Sequence, residues 1–240
     1  MPHTRPLVAL LAATLFTTLG CTSTAQSTQP ANPPAAPPTG EAEPDAPFEQ
    51  IPDDALIAGL RAGGHVVYFR HAQTEKDYAD QVTADPNNGS TQRVLSQFGW
   101  DQAKAIGQAW RDLQLPVGSV TASQYFRAWQ TADLAFGKYT KDPALNFEPA
   151  EEYTDQQFEA MRARVQPMLT VKPPAGVNTI IVGHDDPFEA STGIYPEPQG
   201  VAYVIKPLGT PGGPDEGFII LARIPSEKWT ELAKQFPPKN

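Results

Sequence analysis

Two runs of apolar residues in this chain end in histidine. His65-Val66-Val67-Tyr68-Phe69 leads into Arg70-His71, and Asn178-Thr179-Ile180-Ile181-Val182-Gly183 leads into His184. A strand that is apolar at nearly every position, rather than at alternate ones, has to be buried on both faces, as in a sheet covered by helices on each side. In open α/β sheets, ligands bind beyond the carboxyl ends of the strands. Each run would therefore deliver an imidazole to that edge, and the first would add a guanidinium beside it.

The segments between these runs alternate in type. Asp53 and Asp54 are N-cap candidates for a helix ending at Ala62, before Gly63-Gly64. Residues 72–92 are polar and turn-rich and predict a surface loop directly after His71. Leu95, Phe98, Ile106, Ala109, Trp110 and Leu113 recur at helical spacing, predicting a helix over 95–113 with one apolar face. A strand over 117–123, a helix over 124–136 ending at Gly137, and a weak strand over 145–148 follow. Thr154-x-x-Gln157 is a capping box opening a helix with Phe158, Met161, Val165 and Leu169 on one face. Pro187, Pro196 and Pro198 predict a rigid loop over 185–199. Strands over 201–205 and 218–223 predict an antiparallel edge pair, and Ser226 is placed as the cap of a final helix carrying Trp229 and Leu232. This alternation predicts an α/β layer fold with a mostly parallel central sheet.

The N-terminal residues have a different character. Leu7 to Leu19 is apolar for about 13 residues, the length of a signal-peptide core and short for a membrane span. Thr18-Leu19-Gly20-Cys21 resembles a bacterial lipobox, with Thr18 where leucine is usual, and would make Cys21 a lipidation site; Ser23-Thr24-Ala25 offers a rival cleavage site. Residues 22–49 are rich in Pro, Ala, Glu and Asp and bury too little apolar area to offset the entropy of ordering, so they predict an extended, disordered linker. The expected organisation is a signal peptide over 1–21, this linker over 22–49 and one domain over 50–240, exported to the periplasm or cell envelope. One cysteine allows no internal disulfide, so a hydrophobic core must stabilise the domain. The net charge of −9 argues against nonspecific binding to nucleic acid.

A third segment carries chemistry. Ser123-Gln124-Tyr125-Phe126-Arg127-Ala128-Trp129-Gln130-Thr131-Ala132 sits where a predicted strand gives way to a helix, and helix N-termini attract anions. Arg127 falls in the first turn, where its guanidinium can grip a phosphate through two N–H groups. Arg70-His71-Ala72, Leu95-Ser96-x-x-Gly99-x-x-Gln102-Ala103, this segment and Gly183-His184 together resemble, in order, the motifs of the histidine phosphatase superfamily, which includes the phosphoglycerate mutases and acid phosphatases. Ala72 stands where that family has glycine.

The resemblance implies a phosphoglycerate mutase-like three-layer α/β sandwich and a phosphomonoesterase working through a phosphohistidine, with no cofactor and no metal. His71 would be the nucleophile, and Arg70, Thr74, Arg127 and His184 would hold the phosphate. A carboxyl group must protonate the leaving oxygen. The family places that acid either some way after the second arginine, where Glu151 and Glu152 stand, or directly after the second histidine, where Asp185 stands. Glu152 and Asp185 are the leading candidates, with Glu189 a third. The expected partners are a small phosphorylated substrate and, through Cys21, a membrane. The alternatives are a noncatalytic envelope lipoprotein that binds a phosphorylated ligand in the same pocket, and an α/β scaffold for protein contacts. His65 is read as structural. The histidines lack metal-ligand spacing.

Overall fold

The computed structural model describes residues 48, 50–76, 80, 84–149, 152–209 and 217–238, all within one compact unit, Pro44–Asn240. The predicted signal peptide, Cys21 and nearly all of the predicted linker lie outside the described residues.

The elements run α1 (Asp53–Ala62), β1 (Val66–Arg70), α2 (Gln97–Asp112), β2 (Val117–Ala122), α3 (Phe126–Phe136), β3 (Thr140–Lys141), α4 (Asp155–Thr170), β4 (Asn178–Gly183), α5 (Asp185–Thr192), β5 (Ala202–Pro207), β6 (Phe218–Ile224) and α6 (Ser226–Gln235). The six strands lie in the order β3-β2-β4-β1-β5-β6. β3, β2, β4 and β1 pair in parallel, while β5 pairs antiparallel with both β1 and β6. Only β5 runs against the others. The two histidine-ending strands, β1 and β4, are adjacent at the centre, with Arg70 opposite Gly183.

The continuous apolar runs are explained by two cores. Val67, Phe69, Ile180 and Val182 face one side of the sheet and pack against Leu60, Ile106, Trp110, Ala132, Trp229 and Leu232 from α1, α2, α3 and α6. The alternate residues Val66, Tyr68 and Ile181 face the other side and pack against Val165, Leu169 and Phe188 from α4 and α5. Successive side chains of a strand point to opposite faces, so a strand between two helical layers has no position left for a polar residue. The result is the three-layer α/β sandwich with a mostly parallel central sheet expected from the sequence.

Several local features differ from expectation. Pro52, not an aspartate, occupies the N-cap of α1, and Asp53 and Asp54 lie in its first turn, where their charge favours the helix dipole. α2 starts at Gln97 with Ser96 as its cap, and Phe98 is 62% exposed instead of joining the apolar face. The weak strand over 145–148 is absent; a short 3₁₀ turn covers Pro143–Leu145, and the edge strand is Thr140–Lys141. Residues 185–192 form α5 rather than a loop, because Pro187 lies in the first turn, where its missing N–H breaks no helical hydrogen bond. Pro225, not Ser226, caps α6; Ser226 instead accepts a hydrogen bond from Gln102 Nε2 at 2.8 Å.

Candidate active site

Parallel pairing brings the ends of β1, β2 and β4 to one edge of the sheet. Backbone bonds extend each strand by one residue: His71 N–H donates to Gly183 O at 3.0 Å, and Ser123 N–H donates to Val182 O at 3.0 Å. His71 and His184 are fully buried there, with ring centroids 5.4 Å apart. Arg70 and Arg127 are buried with them. Sequence positions 70, 71, 127 and 184 thus form one cluster.

The hydrogen bonds fix the state of His71. Its Nδ1 lies 2.8 Å from Ala72 O, which can only accept, so Nδ1 carries the proton. Nε2 is left with its lone pair, and Arg127 Nε–H donates to it at 3.1 Å. Burial, followed by the charge of Arg127, holds the His71 pKa well below 6.5. Ala72 N–H donates to Thr131 Oγ1 at 3.0 Å, and that hydroxyl donates to Arg127 O at 2.7 Å. The backbone of Ala72 therefore ties the end of β1 to α3 through Thr131 and Arg127.

His184 is held by the other segment. Tyr125 N–H donates to Ser123 Oγ, and the Ser123 hydroxyl donates to Asn146 Oδ1 at 2.8 Å. His184 Nε2, 2.8 Å from Ser123 Oγ, must then be the donor in that pair. Its Nδ1 is buried and has no hydrogen-bond partner among the described residues. Tyr68 Oη donates to His184 O at 2.8 Å and accepts from His184 N–H at 3.0 Å, so the opposite face of β1 fixes the backbone of the second histidine. Burial, then Arg127, His71, Arg70 and Arg93, hold its pKa well below 6.5.

Arg70 is gripped from the far side. Nη1 donates to Pro196 O at 2.8 Å, Nη2 meets Asp185 Oδ2 at 2.5 Å, and the guanidinium lies 5.4 Å from the centre of the Tyr195 ring. Tyr195 Oη also donates to Asp185 Oδ2, at 2.9 Å. Burial pushes the Asp185 carboxyl up, but Arg70, His71 and Tyr195 outweigh it and hold it below the usual range. Its neighbour Asp186 accepts from Tyr153 Oη at 2.9 Å and is pushed up to about 6, first by burial and then by Asp185. Glu189 is raised by burial and Asp185. Glu152 is exposed, on the approach to α4, with no hydrogen bond or ion pair to the cluster; Glu151 lies outside the described residues. Asp185 is thus the sequence-derived acid candidate that touches the cluster, through Arg70.

Thr74 is buried, and its hydroxyl and amide are engaged by Gln199. It lines a cavity of about 580 Å³ beside the cluster. Arg70, Gln73, Arg93, Phe98 and Glu197 also line this cavity. Its walls come from the segments after β1 and before β5 and from the starts of α2 and α6. Arg70 belongs to both spaces, and the volume suits a small ligand.

Sequence reading missed Asp80. Its carboxylate accepts from Arg127 Nη1 at 2.9 Å and from Arg93 N–H at 2.8 Å. Nothing in the polar loop over 72–92 marks one carboxylate over another. Arg93 and Tyr195 were also missed. By contrast, Ser123 stood in the motif segment, and its position as the last residue before the turn was a usable signal.

No family model and no curated protein matches the chain. Its fold is similar to several solved structures. The protein histidine phosphatase SixA complexed with tungstate is 13% identical, covering 68% of this chain and 97% of its own, with a TM-score of 0.44. A mutant phosphoserine phosphatase from Entamoeba histolytica in complex with phosphoserine is 11% identical, covering 68% and 98%, with a TM-score of 0.47. A mycobacterial glucosyl-3-phosphoglycerate phosphatase complexed with VO3 is 16% identical, covering 66% and 97%, with a TM-score of 0.46.

Proposed function

We propose that this chain hydrolyses phosphomonoesters through a phosphohistidine on His71. The observation that carries the reading is the state of that side chain: Nδ1–H is committed to Ala72 O, and the Nε2 lone pair faces the guanidinium of Arg127. A neutral, oriented imidazole beside cations is a nucleophile awaiting an electrophilic anion.

In the proposed reaction the phosphoryl group sits between Arg70, Arg127 and His184, which stabilise its equatorial oxygens. Nε2 attacks phosphorus in line with the ester oxygen. The P–O bond breaks as the P–N bond forms, and Asp185 protonates the departing alkoxide. Water, deprotonated by the same carboxylate, then attacks phosphorus and releases inorganic phosphate and His71. A phosphate dianion offsets the Arg70 charge that holds Asp185 ionised, so burial then favours the protonated acid. Glu152 has less support in this role, because it is exposed and makes no contact with the cluster. The cavity shared with Arg70 would take the leaving group.

The second reading is a binder of phosphorylated ligands without turnover. The Arg70–Asp185 pair favours it, since a carboxylate held ionised is a poor proton donor. For location, we propose export, with Cys21 as the lipid tether and residues 22–49 as a spacer.

The test is hydrolysis of p-nitrophenyl phosphate by the purified protein and by His71→Ala, each with a chelator present. Chelator-resistant turnover that disappears in the variant supports the hydrolase. Phosphate binding without turnover in the parent protein selects the binder.

A further inference from the structure

We propose that Asp80 is a positioning residue: it holds the far end of the Arg127 guanidinium so that the opposite edge stays aimed at His71 and at a phosphoryl group beside it. The inference rests on the phosphatase reading for its kinetic consequences, but the geometry stands without it.

An arginine offers two separate donor pairs. Nε–H and the nearer Nη2 hydrogen share one edge, and Nη1 lies at the other end. Here Nε–H donates to His71 Nε2 at 3.1 Å, while Nη1 donates to Asp80 Oδ1 at 2.9 Å. Nη2 has no hydrogen bond among the described residues. The edge that faces the nucleophile is therefore half free, and a phosphate oxygen can take Nε–H and Nη2–H while Asp80 keeps Nη1.

Asp80 is itself fixed, because Oδ1 also accepts Arg93 N–H at 2.8 Å. The Arg127 side chain is 4% exposed in this pair, and Asp80 is 18% exposed. The rings of Tyr125 and Phe147, 5.3 and 5.2 Å from the guanidinium carbon, leave the cation no other polar partner on those sides. Remove Asp80, and the end of the fork has only aromatic neighbours to hold it. A long side chain with a loose end samples more rotamers, and its aim degrades.

The competing role is that of a resident anion, which substrate must displace from Arg127. The two roles predict opposite effects. Asp80→Asn keeps an oxygen that can accept from Nη1 and from Arg93 N–H; Asp80→Ala keeps neither. Both remove the same charge, so the difference between them reports geometry. We expect Asp80→Asn to stay within a few-fold of the parent protein in kcat/KM for p-nitrophenyl phosphate. Asp80→Ala should fall about 10- to 100-fold, the scale of a misplaced catalytic group. Full activity in Asp80→Ala, or faster turnover with tighter binding of inorganic phosphate, would overturn the proposal.

A second readout is independent of turnover. His71 faces Arg127 from α3, Arg70 from its own strand, and His184 and Asp185 from the start of α5. In ligand-free protein, the titration of the His71 ring followed by NMR should move to higher pH in Asp80→Ala than in Asp80→Asn, as the Arg127 charge drifts from Nε2. Equal titrations in the two variants would refute the positioning role. If the parent protein turns over no phosphoester, the phosphatase reading fails, yet this titration still decides the role of Asp80.

Discussion

Arg127 Nε–H donates to His71 Nε2 at 3.1 Å, so the nitrogen that would attack phosphorus and the cation that would grip its oxygens are in direct contact. A phosphoryl group has to enter between them, and Arg127 must exchange an imidazole for an oxyanion without losing its aim. Lysine can supply the charge but not a two-pronged edge. Arg127→Lys should therefore lower kcat/KM for an aryl phosphate by about 10²–10³, as removal of a transition-state donor does. The circular dichroism spectrum should be unchanged. A loss smaller than tenfold would show that charge alone suffices.

On the proposed reading, His184 would link phosphate binding to protons. Its Nε2–H is committed to Ser123, so Nδ1 can donate to a phosphate oxygen only after gaining a proton. Ligand-free, the ring is uncharged well above its lowered pKa. Binding of inorganic phosphate should therefore take up a proton, and affinity should fall as pH rises above neutrality. Calorimetry in two buffers of different ionisation enthalpy measures the uptake directly, and His184→Gln should abolish it.

The same burial makes the fold sensitive to acid. His71 and His184 have folded pKa values well below the unfolded value of 6.5. Between those limits the unfolded chain binds protons that the native protein does not, so stability rises with pH there and is lost as pH falls from 6.5 toward the folded values. Urea unfolding midpoints should drop across that window. His184→Gln should lessen the slope, since the replacement does not titrate.

Asp185 should reveal itself through the leaving group. An alkoxide needs a proton to depart, whereas p-nitrophenolate does not. Asp185→Asn is expected to lower kcat/KM, which reports the steps up to departure of the leaving group, by about 10²–10⁴ for alkyl phosphates and far less for p-nitrophenyl phosphate. Equal losses on both substrates would assign Asp185 to holding Arg70 instead.

Gly183 is fixed by a contact across the sheet. A Cβ there would lie 2.1 Å from Tyr68 Oη, the group that bonds both N–H and O of His184. Gly183→Ala should destabilise the domain by about 1–3 kcal/mol, as overpacking of a core does, and should lower turnover more than the Tm loss explains. Thermal melts and kinetics at a temperature well below the transition separate the two effects.

The strands and the first-rank site residues were legible in the sequence for a common reason. β1 and β4 are apolar throughout because helices cover both their faces, and a parallel sheet brings such strand ends to one edge whatever the connecting segments do. Arg70, His71 and His184 follow from that edge, and Arg127 follows from the helix start beside it. Phe98 obeys the helical spacing yet faces outward at a cavity, because periodicity records which side a residue is on, not what covers it. Pro187 read as a helix breaker, but its effect depends on its position within the turn. Which candidate acid reaches the cluster, and which contacts aim the cations, belonged to tertiary structure alone. Arg127 meets Asp80 across 47 residues, and Arg70 meets Asp185 across 115. Local pattern encodes burial and secondary structure, but which carboxylate reaches a buried guanidinium is settled only when the connecting segments pack over the sheet edge.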